Sequence, residues 1–191
     1  MNKGRLEAFS DGVIAIIITM LVLELKVPHG PRLEDLRPLA PVFLSYVLSF
    51  ITIGIYWNNH HYILHAAQHV SAWVLWANLT LLFWLSLVPF TTAWMGENHF
   101  ASVPTAAYGI VLLMAAFSYL FLERSIIAAD GPNSLLARAI GAERKGWLSQ
   151  CIYTAGIVVA FFAPRVAGMM YAGVVLMWFI PDRRVERELE K

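Results

Sequence analysis

Residues 57–61 read Trp-Asn-Asn-His-His, and His65 and His69 follow at further intervals of four. On a helix, His61, His65 and His69 share one face, the spacing of paired metal ligands. A zinc hydrolase of the H-E-x-x-H kind needs Glu after its first His, but Tyr62 follows His61. The other histidines, His29 and His99, fall in expected loops and supply no second cluster. No metal site is therefore expected, and hydrogen bonding is the chemistry left to His60 and His61. Their expected partners are Ser10 and Asp11, which with Arg5 form a polar cluster at the mouth of the first apolar segment. Ionisable groups at or inside a bilayer are costly, and they mark a pathway, a partner or a tight polar network. The chain offers no Ser-His-Asp set, no glycine-rich phosphate loop and no paired intramembrane aspartates, so neither an enzyme nor a cofactor is expected.

These residues sit in a chain of 191 residues that is 59% hydrophobic and 14% charged. Mean hydropathy is +0.61, too apolar for a soluble domain of this length. An all-α integral membrane protein is expected, as a single domain over 1–191 with six transmembrane helices. Their ranges are about 8–27, 38–67, 72–95, 103–122, 149–163 and 166–181. A polar stretch over roughly 123–147 separates the fourth from the fifth. Lys3 and Arg5 before an apolar run imitate a secretory signal, but Glu7 and Asp11 interrupt it and no small-residue cleavage site follows. The first segment is expected to be a retained helix. A net charge of +1 with scattered basic residues argues against a nucleic-acid partner. The lone Cys151 permits no internal disulfide.

Basic residues give the expected orientation. With the N-terminus inside, ten of the 14 Lys and Arg residues fall in cytoplasmic segments and four (Lys26, Arg32, Arg37 and Arg165) outside. Both termini are then cytoplasmic, in the plasma membrane. Asn78, on the third segment, enters at the depth of Asp11 and His60, as interhelical polar glue does.

On the first helix, Ile16, Met20, Leu23 and Val27 follow one face, with Gly12 beside them and Thr19 on the flank. Two readings compete for this stripe. It is either bundle core, or a set of apolar rings that symmetry copies close around an axis into a constriction gated by dewetting. No TVGYG-like carbonyl filter is present.

The blocks Arg5-x-x-x-Phe9-Ser10-Asp11 with Ala15-Ile16 and Thr19, Gly54 to His61, and Asn78 followed by Leu87-Val88-Pro89-Phe90-Thr91-Thr92-Ala93 resemble the transmembrane protein 175 family. That family comprises lysosomal and endosomal potassium channels of animals and shorter prokaryotic relatives. The resemblance covers the first three helices and implies the one-repeat prokaryotic form. It implies a homotetramer of six-helix subunits whose first helices line a central pore for potassium and other monovalent cations. The family's hydrophobic constriction falls on Ile16 and Leu23, with Met20 as a third layer. Thr19 matches a threonine near the selectivity-determining level. Arg5, Phe9, Ser10 and Asp11 map to the motif that packs the pore helix against its neighbours, together with Trp57, His60 or His61, and Asn78. The alternative from another class is a secondary transporter, proton-coupled through Asp11, His60 and His61. Its interrupted helices and internal repeats are not evident in the sequence.

Overall fold

The structure is a computed structural model that describes residues 2–140 and 144–179. Among these, every regular element is helical. Helix α1 spans Lys3–Leu23 and is opened by Asn2, whose side-chain oxygen accepts from the Gly4 N–H at 3.1 Å. A 3-10 helix over Leu33–Leu39 leads into α2, Ala40–Ala66, where Pro41 occupies a first-turn position that needs no N–H donor. Helix α3, Ala72–Ser86, is capped by Ser71, which accepts from Val74 N–H at 3.3 Å. Helix α4 is Val88–Glu97 and α5 is Ser102–Asp130. A short α6, Leu135–Ile140, precedes α7, Arg144–Ala160, and α8, Pro164–Phe179.

Among the described residues, four stretches are long and apolar enough to cross a membrane: Lys3–Leu23, Leu33–Ala66, Ala72–Glu97 and Ser102–Asp130. Helices α7 and α8, at 17 and 16 residues, fall below that length. A helix is the natural state of such runs, because in lipid the backbone can bond only to itself.

The elements depart from the expected ranges at identifiable places. The third segment is two helices joined at Leu87, which keeps helical angles (φ −85°, ψ −11°). Pro89 lacks the N–H that would continue the ladder, so the junction is a break within one path rather than a turn. The fourth helix runs eight residues past 122, through most of the first half of the expected polar stretch. Leu122 and Ile126 are fully buried there, so amphipathic packing continues beyond the apolar run until Gly131, at φ 94°, ends it. The first helix stops at Leu23, leaving Val27 of the expected stripe outside it, before Pro28. The tail that carries Arg183, Arg184, Arg187 and Lys191 lies outside the described residues.

Helix α1 packs against α2, α3 and α4, whereas α7 and α8 close the far side of the bundle against α5. Tyr171 of α8 seats over Gly109 of α5 and Gly156 of α7, where any Cβ would overlap its ring or hydroxyl. Close approach of α2 and α4 likewise requires Gly96 against Val42 and Ser45.

Several helix ends gather on one side. Lys3 Nζ donates to the His65 carbonyl at 2.6 Å, and Asp130 accepts from the Gln68 and His69 backbone N–H groups, each at 2.8 Å. Trp178 Nε1 donates to Ser149 Oγ at 2.8 Å, which brings the end of α8 back to the start of α7. On the opposite side, Lys26 and Glu97 pair at 2.6 Å and join the end of α1 to the end of α4. The hydrogen bond to Glu97, and then its charge, hold the Lys26 ammonium above its ordinary pKa.

Candidate functional site

Helix α1 is apolar on all sides, so its orientation depends on where its few polar groups bond and which stripe packs. The stripe Leu6, Ser10, Ile14, Ile17 and Leu21 is buried against the bundle. Its interval of four, four, three and four is one helical face. The expected stripe lies to the other side: Ile16 is 60%, Met20 47% and Leu23 79% exposed. Gly12 and Thr19 are exposed with them. Within the chain this face is open, so it is not the core of the bundle. Thr19 donates its hydroxyl hydrogen back to the Ile16 carbonyl at 2.8 Å. That leaves the oxygen's remaining acceptor capacity to the open face.

Ser10 anchors the buried stripe. Asn78 Nδ2 donates to Ser10 Oγ at 2.9 Å, and Asn78 Oδ1 meets His60 Nε2 at 2.7 Å. An amide oxygen only accepts, so Nε2 of His60 carries the proton in this contact. All three side chains are buried, at 0%, 0% and 1% exposure for Ser10, Asn78 and His60. One amide thus bridges α1, α2 and α3.

Asp11 takes a different partner. Trp57 Nε1 donates to its Oδ1 at 3.0 Å, on the rim of the same three-helix contact. No imidazole bonds directly to Ser10 or Asp11 among the described residues; the link from His60 runs through Asn78. His61 stands exposed and stacks on His65, with ring centroids 6.0 Å apart, and leans on Trp57. His69 leaves that face altogether, because α2 ends at Ala66; its Nδ1 contacts Asp130 at 3.1 Å. The described residues contain no group of three or more His, Cys, Asp or Glu able to hold a metal ion. Arg5 and Phe9 are exposed, and neither side chain joins the hydrogen-bond network.

A second polar thread, unexpected from the sequence, runs through the bundle. Thr92 Oγ1 donates to the Val88 carbonyl at 2.6 Å, which commits its one hydrogen. Ser49 must then donate to Thr92 at 2.6 Å, and Tyr108 to Ser49 at 2.9 Å. This directional chain ties α2, α4 and α5 beside the break at Leu87. Only the Pro89-Phe90-Thr91-Thr92 run hinted at it, since isolated hydroxyls in apolar segments do not reveal their partners.

Comparison with known proteins follows the same helices. Residues 5–89 match the model of the family described as endosomal/lysosomal potassium channel TMEM175. A potassium channel of Chryseobacterium sp. is 52% identical over 191 residues, 100% of both chains. The human endosomal/lysosomal proton channel TMEM175 is 35% identical over 96 residues, which are 44% of this chain and 19% of that one. The crystal structure of a lysosomal potassium-selective channel TMEM175 homolog from Chamaesiphon minutus matches with a TM-score of 0.79 at 27% identity, covering 94% of this chain and 97% of the other. Identity of this extent, from end to end of a relative, shows that the chain belongs to the TMEM175 family.

Proposed function

We propose that this protein is a potassium-preferring cation channel, a homotetramer whose α1 helices surround the pore. Each subunit forms one domain of six spans: α1, α2, the broken α3–α4 pair, α5, α7 and α8. The subunit lies in the plasma membrane with both termini cytoplasmic. The observation that carries this reading is the division of α1 into a packed stripe and an open apolar stripe. A helix that exposes Gly12, Ile16, Met20 and Leu23 on the side away from its own bundle can meet copies of itself there.

Rings of Ile16 and Leu23, with Met20 between them, constrict the path. Apolar side chains offer no ligand to replace lost water, so such rings discriminate by dehydration cost and need no carbonyl filter. Potassium releases its hydration shell more readily than sodium and is preferred, though modestly. Thr19 supplies a hydroxyl oxygen at this level. The Ser10–Asn78–His60 bridge and the Asp11–Trp57 bond fix the rotation of α1, and with it which residues face the axis. Arg5 and Phe9, exposed in the subunit, serve packing between copies. No cofactor or catalytic step is invoked.

The test is the reversal potential of purified protein in liposomes under opposed potassium and sodium gradients. A potential displaced toward the potassium equilibrium value supports the reading; no conductance, or turnover as slow as an alternating carrier's, favours the transporter. The human relative's name makes proton permeation a second reading of the same pore, and a pH gradient across the same liposomes separates the two.

A further inference from the structure

The link between α1 and α2 carries an apolar ridge that the rest of the chain leaves uncovered. Its 3-10 helix, Leu33–Leu39, turns once every three residues, so Leu33, Leu36 and Leu39 stand in one line. Glu34 and Arg37 form a second line, and Arg32, Asp35 and Pro38 a third. None of the seven residues of this helix is buried, and Leu33 is 84% and Leu36 48% exposed. Asp35 folds back, accepting from the Arg32 N–H at 2.9 Å and lying against Gly30. The charges left to the surroundings are Arg32, Glu34 and Arg37, all off the leucine line.

Level decides what meets the ridge. Gly96, at the end of α4, lies so close to α2 that an added Cβ would stand 2.8 Å from Val42 Cα. Glu97, next to it, pairs with Lys26 just past the end of α1. Val42 is therefore level with the ends of α1 and α4, where charged groups first leave the apolar slab. Trp94, one turn inside that level, stands where an aromatic belt runs. Helix α2 begins at Ala40, only about 3 Å farther out than Val42. The 3-10 helix thus joins the bundle at the membrane boundary. Leu39 and Phe43, four apart, continue its ridge onto α2, where Phe43 and Leu44 are 54% and 61% exposed.

We propose that Leu33–Leu39 is an interfacial anchor. It lies along the membrane surface with Leu33, Leu36 and Leu39 among lipid acyl chains and Glu34 and Arg37 among the headgroups. Leucines held at this level gain from lipid what water denies them, and a short amphipathic helix in the interface plane is bound in this way. The guanidinium groups of Arg32 and Arg37 suit lipid phosphates. The anchor fixes the level at which α2 enters the bilayer. It requires the chain to be in a membrane and does not depend on the pore.

Spin labelling of the full chain in phosphatidylcholine–phosphatidylglycerol liposomes tests it. Cys151→Ser removes the native thiol, and single nitroxides are placed through Leu33→Cys, Glu34→Cys, Leu36→Cys and Arg37→Cys. Labels at 33 and 36 should be relaxed more by oxygen, which partitions into acyl chains, than by a water-soluble nickel chelate. Labels at 34 and 37 should show the reverse order, and they control for the nitroxide's own affinity for lipid. Four labels that behave alike, in either sense, overturn the proposal. Shielding of 33 and 36 from both relaxants also overturns it, and spin–spin broadening there would identify a second copy as the occupant. Should Leu36→Cys not fold, Leu33→Cys at the more exposed site decides the matter against the same two controls.

Discussion

Asn78 donates to Ser10 and, through its carbonyl oxygen, accepts from His60, so a single α3 side chain holds both α1 and α2. The bridge is buried, and removing its centre leaves two polar groups without their partners. Asn78→Leu is expected to destabilise the protein by about 2 to 4 kcal/mol, the penalty for two orphaned buried groups. Thermal unfolding in detergent measures it. A loss below about 1 kcal/mol would show that water enters and replaces the amide.

The Asp11–Trp57 bond lies at the rim, where water competes. Trp57→Phe keeps an aromatic ring, though a smaller one, removes the donor and should lower stability by only about 1 kcal/mol. Asp11→Ala is expected to disturb assembly more than permeation, read by size-exclusion chromatography and by reversal potentials of the intact fraction. A stable full-size assembly with altered selectivity would contradict that division of labour.

The two faces of α1 should respond differently to the same change. Ile16→Asn or Leu23→Asn places an amide on the open face. These substitutions should leave unfolding within about 0.5 kcal/mol of the parent, raise leak and weaken potassium-over-sodium preference. Ile14→Asn puts the same amide into a fully buried site and should cost at least about 2 kcal/mol. Unchanged reversal potentials for both open-face variants in bilayer recordings would remove the constriction from Ile16 and Leu23.

Tyr171 is fully buried, its hydroxyl has no hydrogen-bond partner among the described residues, and it stands where a Gly109 side chain would be. Gly109→Ala should therefore cost about 1 to 3 kcal/mol through overpacking. Tyr171→Phe, which removes only the unpaired hydroxyl, should be neutral or stabilising. The pair should be non-additive, with Tyr171→Phe recovering only part of the Gly109→Ala loss in a double-mutant cycle, because the ring carbon Cζ at 2.6 Å and Ile157 Cγ1 at 2.9 Å still crowd the new Cβ. Additive losses would mean that Gly109 is needed for another reason.

Much of this protein was legible in the order of its residues. Length and hydropathy suffice for an all-helical membrane chain, because an apolar backbone in lipid must satisfy its own N–H and C=O groups. The first-helix motif was equally plain, since Ser10 and Asp11 are conspicuous beside an uncharged run. The limits of that reading are physical. The extension of α5 through Glu123 and Arg124 falls in the expected polar stretch, because charge at a membrane surface is compatible with helix or loop. His69 looked like a third member of a histidine face, because spacing does not say where α2 stops.

Which side of α1 packs was decided only in three dimensions. Ile14, Ile16 and Ile17 are the same residue type and Met20 is apolar too, and in a bilayer both the packed and the open side of a helix can be apolar. Periodicity is then silent. The choice was made by close packing of Leu6, Ile14, Ile17 and Leu21, and by the one hydroxyl, Ser10, that reaches a buried amide on another helix.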